Sequence, residues 1–158
     1  IFLNKEKVLL FTPEHDSHMR TALKAFIDKP ILGHGPRSFR KICKIKSYQV
    51  GETPCNTHPH NFYIQLLSET GLVGFSFLFY LFIFFCFKCT KYLLTKYLLK
   101  KSHIEYTNFQ LSLLSGVLIT IFPITTNGNF FNNNLMMLYF LPLGFLFYSY
   151  TKKKIRIN

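Results

Sequence analysis

Tryptophan is absent from the 158 residues and acidic side chains are scarce, with seven Asp and Glu against 19 Lys and Arg and a formal net charge of +12. Several chemistries are missing with equal clarity. No HExxH and no paired carboxylate cluster is present, which removes the common metalloprotease layout. No Gly-x-Ser-x-Gly stands for a serine hydrolase. The turn Gly33-His34-Gly35-Pro36 has no preceding strand and no Lys-Ser/Thr after it, so it is not a phosphate loop. Four cysteines are too few for a framework: Cys43 and Cys55 could pair outside the cytoplasm, but unpaired residues are the expectation from spacing alone. Cys86 and Cys89 form a CxxC with no second pair to complete a zinc site. The chain opens on Ile1 without a charged start and short apolar core, so no signal peptide is read and a truncated N-terminus is expected.

What is present is strongly segregated. Hydrophobic residues make up 49% of the chain, with 19 Phe, and from Gly71 onward they gather into long runs, whereas 1–70 has the mixed texture of a water-facing structure. The run GLVGFSFLFYLFIFFCF (71–87) contains no charge and would span roughly 26 Å as a helix, enough for a slightly thin hydrocarbon core. Two further runs cover 109–126 and 135–150. The fold class expected is an all-α polytopic membrane protein, with an extracytoplasmic helical loop domain (1–70) before three transmembrane helices.

Charge sets the orientation. Lys88, Lys91, Lys96, Lys100 and Lys101 fall in the connector 88–108, and Lys152, Lys153, Lys154 and Arg156 in the tail 151–158, both as expected of cytoplasmic flanks. That accounts for much of the positive charge without nucleic acid. The uncharged turn 127–134 and the segment 1–70 then lie on the opposite, outer side. Ionisable residues are absent inside the spans, which speaks against a transporter or channel.

Within 1–70 a helix is expected over 17–28, capped by Asp16 or Ser17, stopped by Lys29-Pro30, with Met19, Ala22, Leu23 and Phe26 inward. A basic amphipathic helix follows over 37–46, with Phe39, Ile42 and Ile45 inward. Thr57 or His58 opens a further helix with Pro59 in its first turn, and Gly71 breaks it. The densest functional group is His58-Pro59-His60-Asn61, with Gln65 and Glu69 spaced about a helical turn apart. A neutral histidine there suits base catalysis on a sugar hydroxyl; interfacial capping and anchoring is the alternative. His15, His18, His58, His60 and Cys55 are conceivable metal ligands, but their spacing matches no known set, and no metal is expected.

His60-Asn61, nine residues, Gly71, two residues and Gly74 resembles the H-[NSQ]-x9-G-x-x-[GTY] pattern of the bacterial O-antigen ligase and polymerase family, and HPHNFYIQLLSETGLVGF resembles their shared domain. Upstream, Arg20, Ala22-Leu23-Lys24-Ala25-Phe26, Pro30-Ile31-Leu32-Gly33-His34-Gly35-Pro36 and Phe39 are similar to the family's arginine helix and glycine turn. The resemblance implies a multi-pass inner-membrane glycosyltransferase, active on the periplasmic side, without cofactor or metal. It would move a glycan from an undecaprenyl-diphosphate carrier to a sugar hydroxyl, on lipid A-core or another glycan, among membrane lipids. It further implies that His60 activates the acceptor and Arg20 holds the diphosphate through a planar, permanently charged fork. Asn61, His58, Arg37 and Gln65 are the expected substrate-binding neighbours, and earlier spans are expected upstream. A noncatalytic membrane anchor is the remaining alternative.

Overall fold

In the computed structural model the described residues are 2–4, 7–95 and 107–155, with side chains described over 10–95 and 107–150. Lys96, Lys100, Lys101, Arg156 and the side chains of Lys152, Lys153 and Lys154 lie outside that range. The chain divides into two units, Ile1–Leu78 with Pro123–Asn133, and Phe79–Phe122 with Asn134–Asn158.

The first unit opens on a short antiparallel hairpin, β1 (Phe2–Asn4) and β2 (Lys7–Leu9), with Leu3 opposite Val8. It is the one departure from helix among the described elements. Helix α1 (Pro13–Asp28) starts earlier than expected: the Thr12 side chain, not Asp16 or Ser17, accepts from the His15 backbone N–H, and Pro13 occupies the first turn. Proline costs nothing there because that N–H has no intrahelical partner. The helix stops at Lys29 as expected. Its buried face is Met19, Ala22 and Ala25 with Ser17, His18 and Thr21, whereas Leu23 is exposed. Small residues are selected because the Val50 backbone runs close by: its carbonyl accepts from Ser17, and its N–H donates to Thr21 Oγ1.

Helix α2 is only Phe39–Ile42, not the longer 37–46 helix: Arg37 takes a left-handed φ of 59° that a helix cannot include, and the chain leaves helical geometry after Ile42. Phe39, Ile42 and Cys43 pack on Ala22 and Ala25, while Ile45, expected inward, is exposed. Cys43 and Cys55 form a disulfide, against the expectation of unpaired residues. It ties the 51–61 loop to the core formed by α1 and α2.

Helix α3 (Phe62–Leu93) begins at Phe62, after the histidine motif. Asn61 caps it, its Oδ1 accepting from Ile64 N and its carbonyl from Gln65 N. At Gly71 the helix kinks (φ 65°, ψ −160°). The two helical bonds lost there, from Leu72 N to Ser68 O and from Val73 N to Glu69 O, are replaced by four to the glycine turn. His34 N and Gly35 N donate to the Ser68 and Glu69 carbonyls, and Leu72 N and Val73 N donate to the Pro30 and Ile31 carbonyls. Side chains would obstruct this joint: a Cβ on Gly33 would lie 2.5 Å from the Glu69 carbonyl carbon, and one on Gly71 2.2 Å from the Ile31 oxygen.

In the second unit, a capping box of Thr107 and Gln110 opens α4 (Asn108–Thr120). It ends before the expected 126 because Pro123 lacks an N–H and disfavours helical geometry at Phe122. Helix α5 (Asn133–Ile155) contains Pro142 and meets α4 where Gln110 donates to Ser149 Oγ. Among the described residues one helix, α3, is long and apolar enough to cross a membrane; α4 is a shorter apolar helix.

Candidate active site

Histidines from two parts of the first unit converge. His15 and His18 come from α1; His58 and His60 come from the loop before α3. The His60 ring stacks on His15 at 4.5 Å between centroids, with His58 at 4.2 Å and His18 at 5.5 Å. The i, i+3 spacing predicted that His15 and His18 share a face; that this face meets His60 was not legible, because it depends on how the 51–61 loop folds back. His60 itself has a left-handed φ of 61°, uncommon for a residue other than Gly, although His adopts it more readily than most.

The electrostatics follow from crowding. Burial, then the neighbouring His58, His15 and His18, hold the His60 pKa down at about 4. Burial first, then His15, lowers His18, and burial lowers His58. Each additional positive charge in so small a volume raises the cost of the next. His60 is therefore neutral at physiological pH. Its tautomer is set by Asn56, whose Oδ1 accepts from Thr57 N and whose Nδ2 therefore donates to His60 Nε2. The free lone pair of His60 is on Nε2, held by an exposed amide. Among the described residues, no hydrogen-bond partner meets the buried His18 Nδ1 or His58 Nε2.

The remaining expected site residues divide into two groups. Asn61 and Gln65 are fully engaged inside the protein. Asn61 Nδ2 donates to the Pro123 and Thr125 carbonyls. Gln65 donates to Glu69 and Asn129 and accepts from Phe130 N. Glu69 in turn accepts from Arg37 N and Phe39 N, and the Arg37 guanidinium donates to the Phe131 carbonyl. Together they fasten 123–131 onto the histidine loop, where Asn127 N also donates to the His60 carbonyl. Arg20 is different: it is exposed and makes a 3.7 Å ion pair with Asp16.

No described group of three or more His, Cys, Asp or Glu is arranged to hold a metal ion. The His60 ring stacks on His15, and Cys55 is committed to its disulfide. Sequence reasoning had no signal for the 123–131 segment as part of this site; its Asn-rich composition reads only as a turn.

The histidine cluster, with the His60 pKa held low, precedes a helix long and apolar enough to cross a membrane. Residues 17–79 match the family model described as O-antigen ligase, which supports the resemblance carried by the histidine and glycine motifs. No curated protein and no solved structure matches.

Proposed function

We propose that this chain forms part of a membrane glycosyltransferase of the O-antigen ligase type, acting on the outer face of the inner membrane with three membrane-spanning helices. The donor is a glycan on undecaprenyl diphosphate and the acceptor a sugar hydroxyl, on lipid A-core in a ligase or on another glycan in a polymerase. The observation that carries the reading is His60, neutral, conformationally constrained and presenting Nε2 to an exposed, displaceable amide within the matched segment. The Cys43–Cys55 disulfide supports an oxidising compartment for 1–70.

In the reaction the acceptor hydroxyl displaces Asn56 from His60 Nε2 and gives its proton to that nitrogen. Its oxygen forms a bond to the anomeric carbon, and the bond from that carbon to the phosphate oxygen breaks. The electron pair leaves with undecaprenyl diphosphate. Arg20, exposed and bound only by one surface ion pair worth about 1 kcal/mol or less, is free to take the diphosphate; Arg37 is occupied by the Phe131 carbonyl.

In the full-length protein, His60→Ala should lower transfer by roughly a hundredfold or more, and Arg20→Ala should do likewise through the leaving group, both with normal accumulation in membranes. Near-normal transfer by either variant would remove that residue from the mechanism. The acid limb of the rate profile should lie near the His60 value of about 4 rather than near 6.5. Stability runs oppositely: as pH falls from 6.5 toward 4 the unfolded histidine binds its proton before the folded one, so folding stability falls over that window. An acid limb near 6.5 would show that His60 titrates as a free imidazole.

A further inference from the structure

A cleft of about 510 Å³ opens beside the histidine cluster, with Leu10 to Thr12 and His15 on one side and Ile124-Thr125-Thr126 on the other. Nothing in the donor chemistry calls for it. Among the described residues its lining holds no Lys, Arg, Asp or Glu, which makes it a poor seat for a diphosphate that needs fixed positive charge. Thr12, Thr125 and Thr126 line it together with the apolar Leu10, Phe11 and Ile124. That mixture suits a neutral sugar ring, which presents hydroxyls at its rim and C–H groups on its faces.

One wall residue connects the cleft to the chemistry. His15 lines it and stacks on His60 at 4.5 Å, so a sugar lodged there lies one imidazole away from the base. The opposite wall is positioned by the same framework that holds His60: the Thr125 carbonyl accepts from Asn61, and Asn127 N donates to the His60 carbonyl.

We infer that this cleft is the binding site for the acceptor glycan and that His15 is an acceptor-binding residue, hydrogen-bonding one sugar hydroxyl and orienting the next toward His60. The inference rests on the glycosyl-transfer reading and names the substrate's seat within it. The diphosphate is bound elsewhere, so donor and acceptor sites are separable by mutation.

The test uses the full-length protein in detergent, with undecaprenyl-diphosphate-linked repeat unit as donor. The acceptor is lipopolysaccharide core lacking its outer glycan in one arm and the same repeat unit in the other. Thr126→Trp fills the cleft without replacing a histidine; it should raise the acceptor KM at least about tenfold in whichever arm is active, with the donor KM unchanged. His15→Phe keeps the ring stack but removes the hydrogen bond, and should raise the acceptor KM roughly five- to tenfold, the worth of one such bond. Wild-type acceptor KM in both variants, or a rise in donor KM instead, overturns the inference. If Thr126→Trp fails to accumulate, His15→Phe decides alone. His60→Ala separates the two levels: its retaining transfer would defeat the parent reading, whereas its loss combined with unchanged cleft variants would defeat only the acceptor site.

Discussion

The two halves of α3 differ in which residues they cover: the first buries polar side chains among its core, and the second leaves many apolar ones exposed. Before Gly71, the polar Gln65, Ser68 and Glu69 are fully buried; beyond it Leu72, Val73, Phe77, Tyr80, Ile83, Phe84 and Phe87 are exposed. In water the second pattern would be costly, at about 25 cal/mol for each Å² of apolar surface left uncovered. In lipid that cost disappears and the first pattern becomes the demanding one, since each buried polar group must be partnered. Gln65 and Glu69 meet that demand fully. Hydropathy therefore marks where α3 needs protein around it and where it does not, and Gly71 marks the change.

The largest effect is expected at the boundary. Gly71→Ala combines a left-handed φ with an approach of 2.2 Å to the Ile31 carbonyl, and should destabilise the first unit by roughly 4 kcal/mol or more. Thermal unfolding that matches wild type would mean the turn is not docked in the kink. Gln65→Leu, on the polar side, strands Phe130 N and one side of Glu69, and should cost about 2–3 kcal/mol; hydrogen exchange at 123–131 should rise with it. Phe77→Leu, on the apolar side where Phe77 is 65% exposed, should change stability by no more than about 0.5 kcal/mol. Equal costs for Gln65→Leu and Phe77→Leu would erase the distinction between the halves.

Much of this arrangement was legible in the sequence, because its causes are local. The run after Gly71, the stop at Lys29-Pro30 and the glycine turn each follow from chain chemistry within a few residues. So did the i, i+3 pairing of His15 with His18. What escaped notice depends on distant partners. Asn61 and Gln65 were expected to meet substrate because buried and substrate-facing amides look alike in sequence; their partners stand more than 60 residues away. Ile45 and Leu23 were expected inward from periodicity alone, but α2 ends at Ile42, before Ile45, and the close Val50 backbone favours the small face of α1. The histidine stack required the 51–61 loop to be tethered through Cys43 and Cys55, and spacing cannot establish a disulfide.

The segment by which this chain is recognised is consequently smaller than the piece that could stand by itself. Residues 17–79 hold the motif, but Asn61, Gln65 and Arg37 point their hydrogen bonds at backbone and side chains in 123–131. A fragment trimmed to the matched stretch would carry the signature and lose the partners that hold its histidine loop in place. Here the unit of sequence inheritance and the unit of folding have different borders.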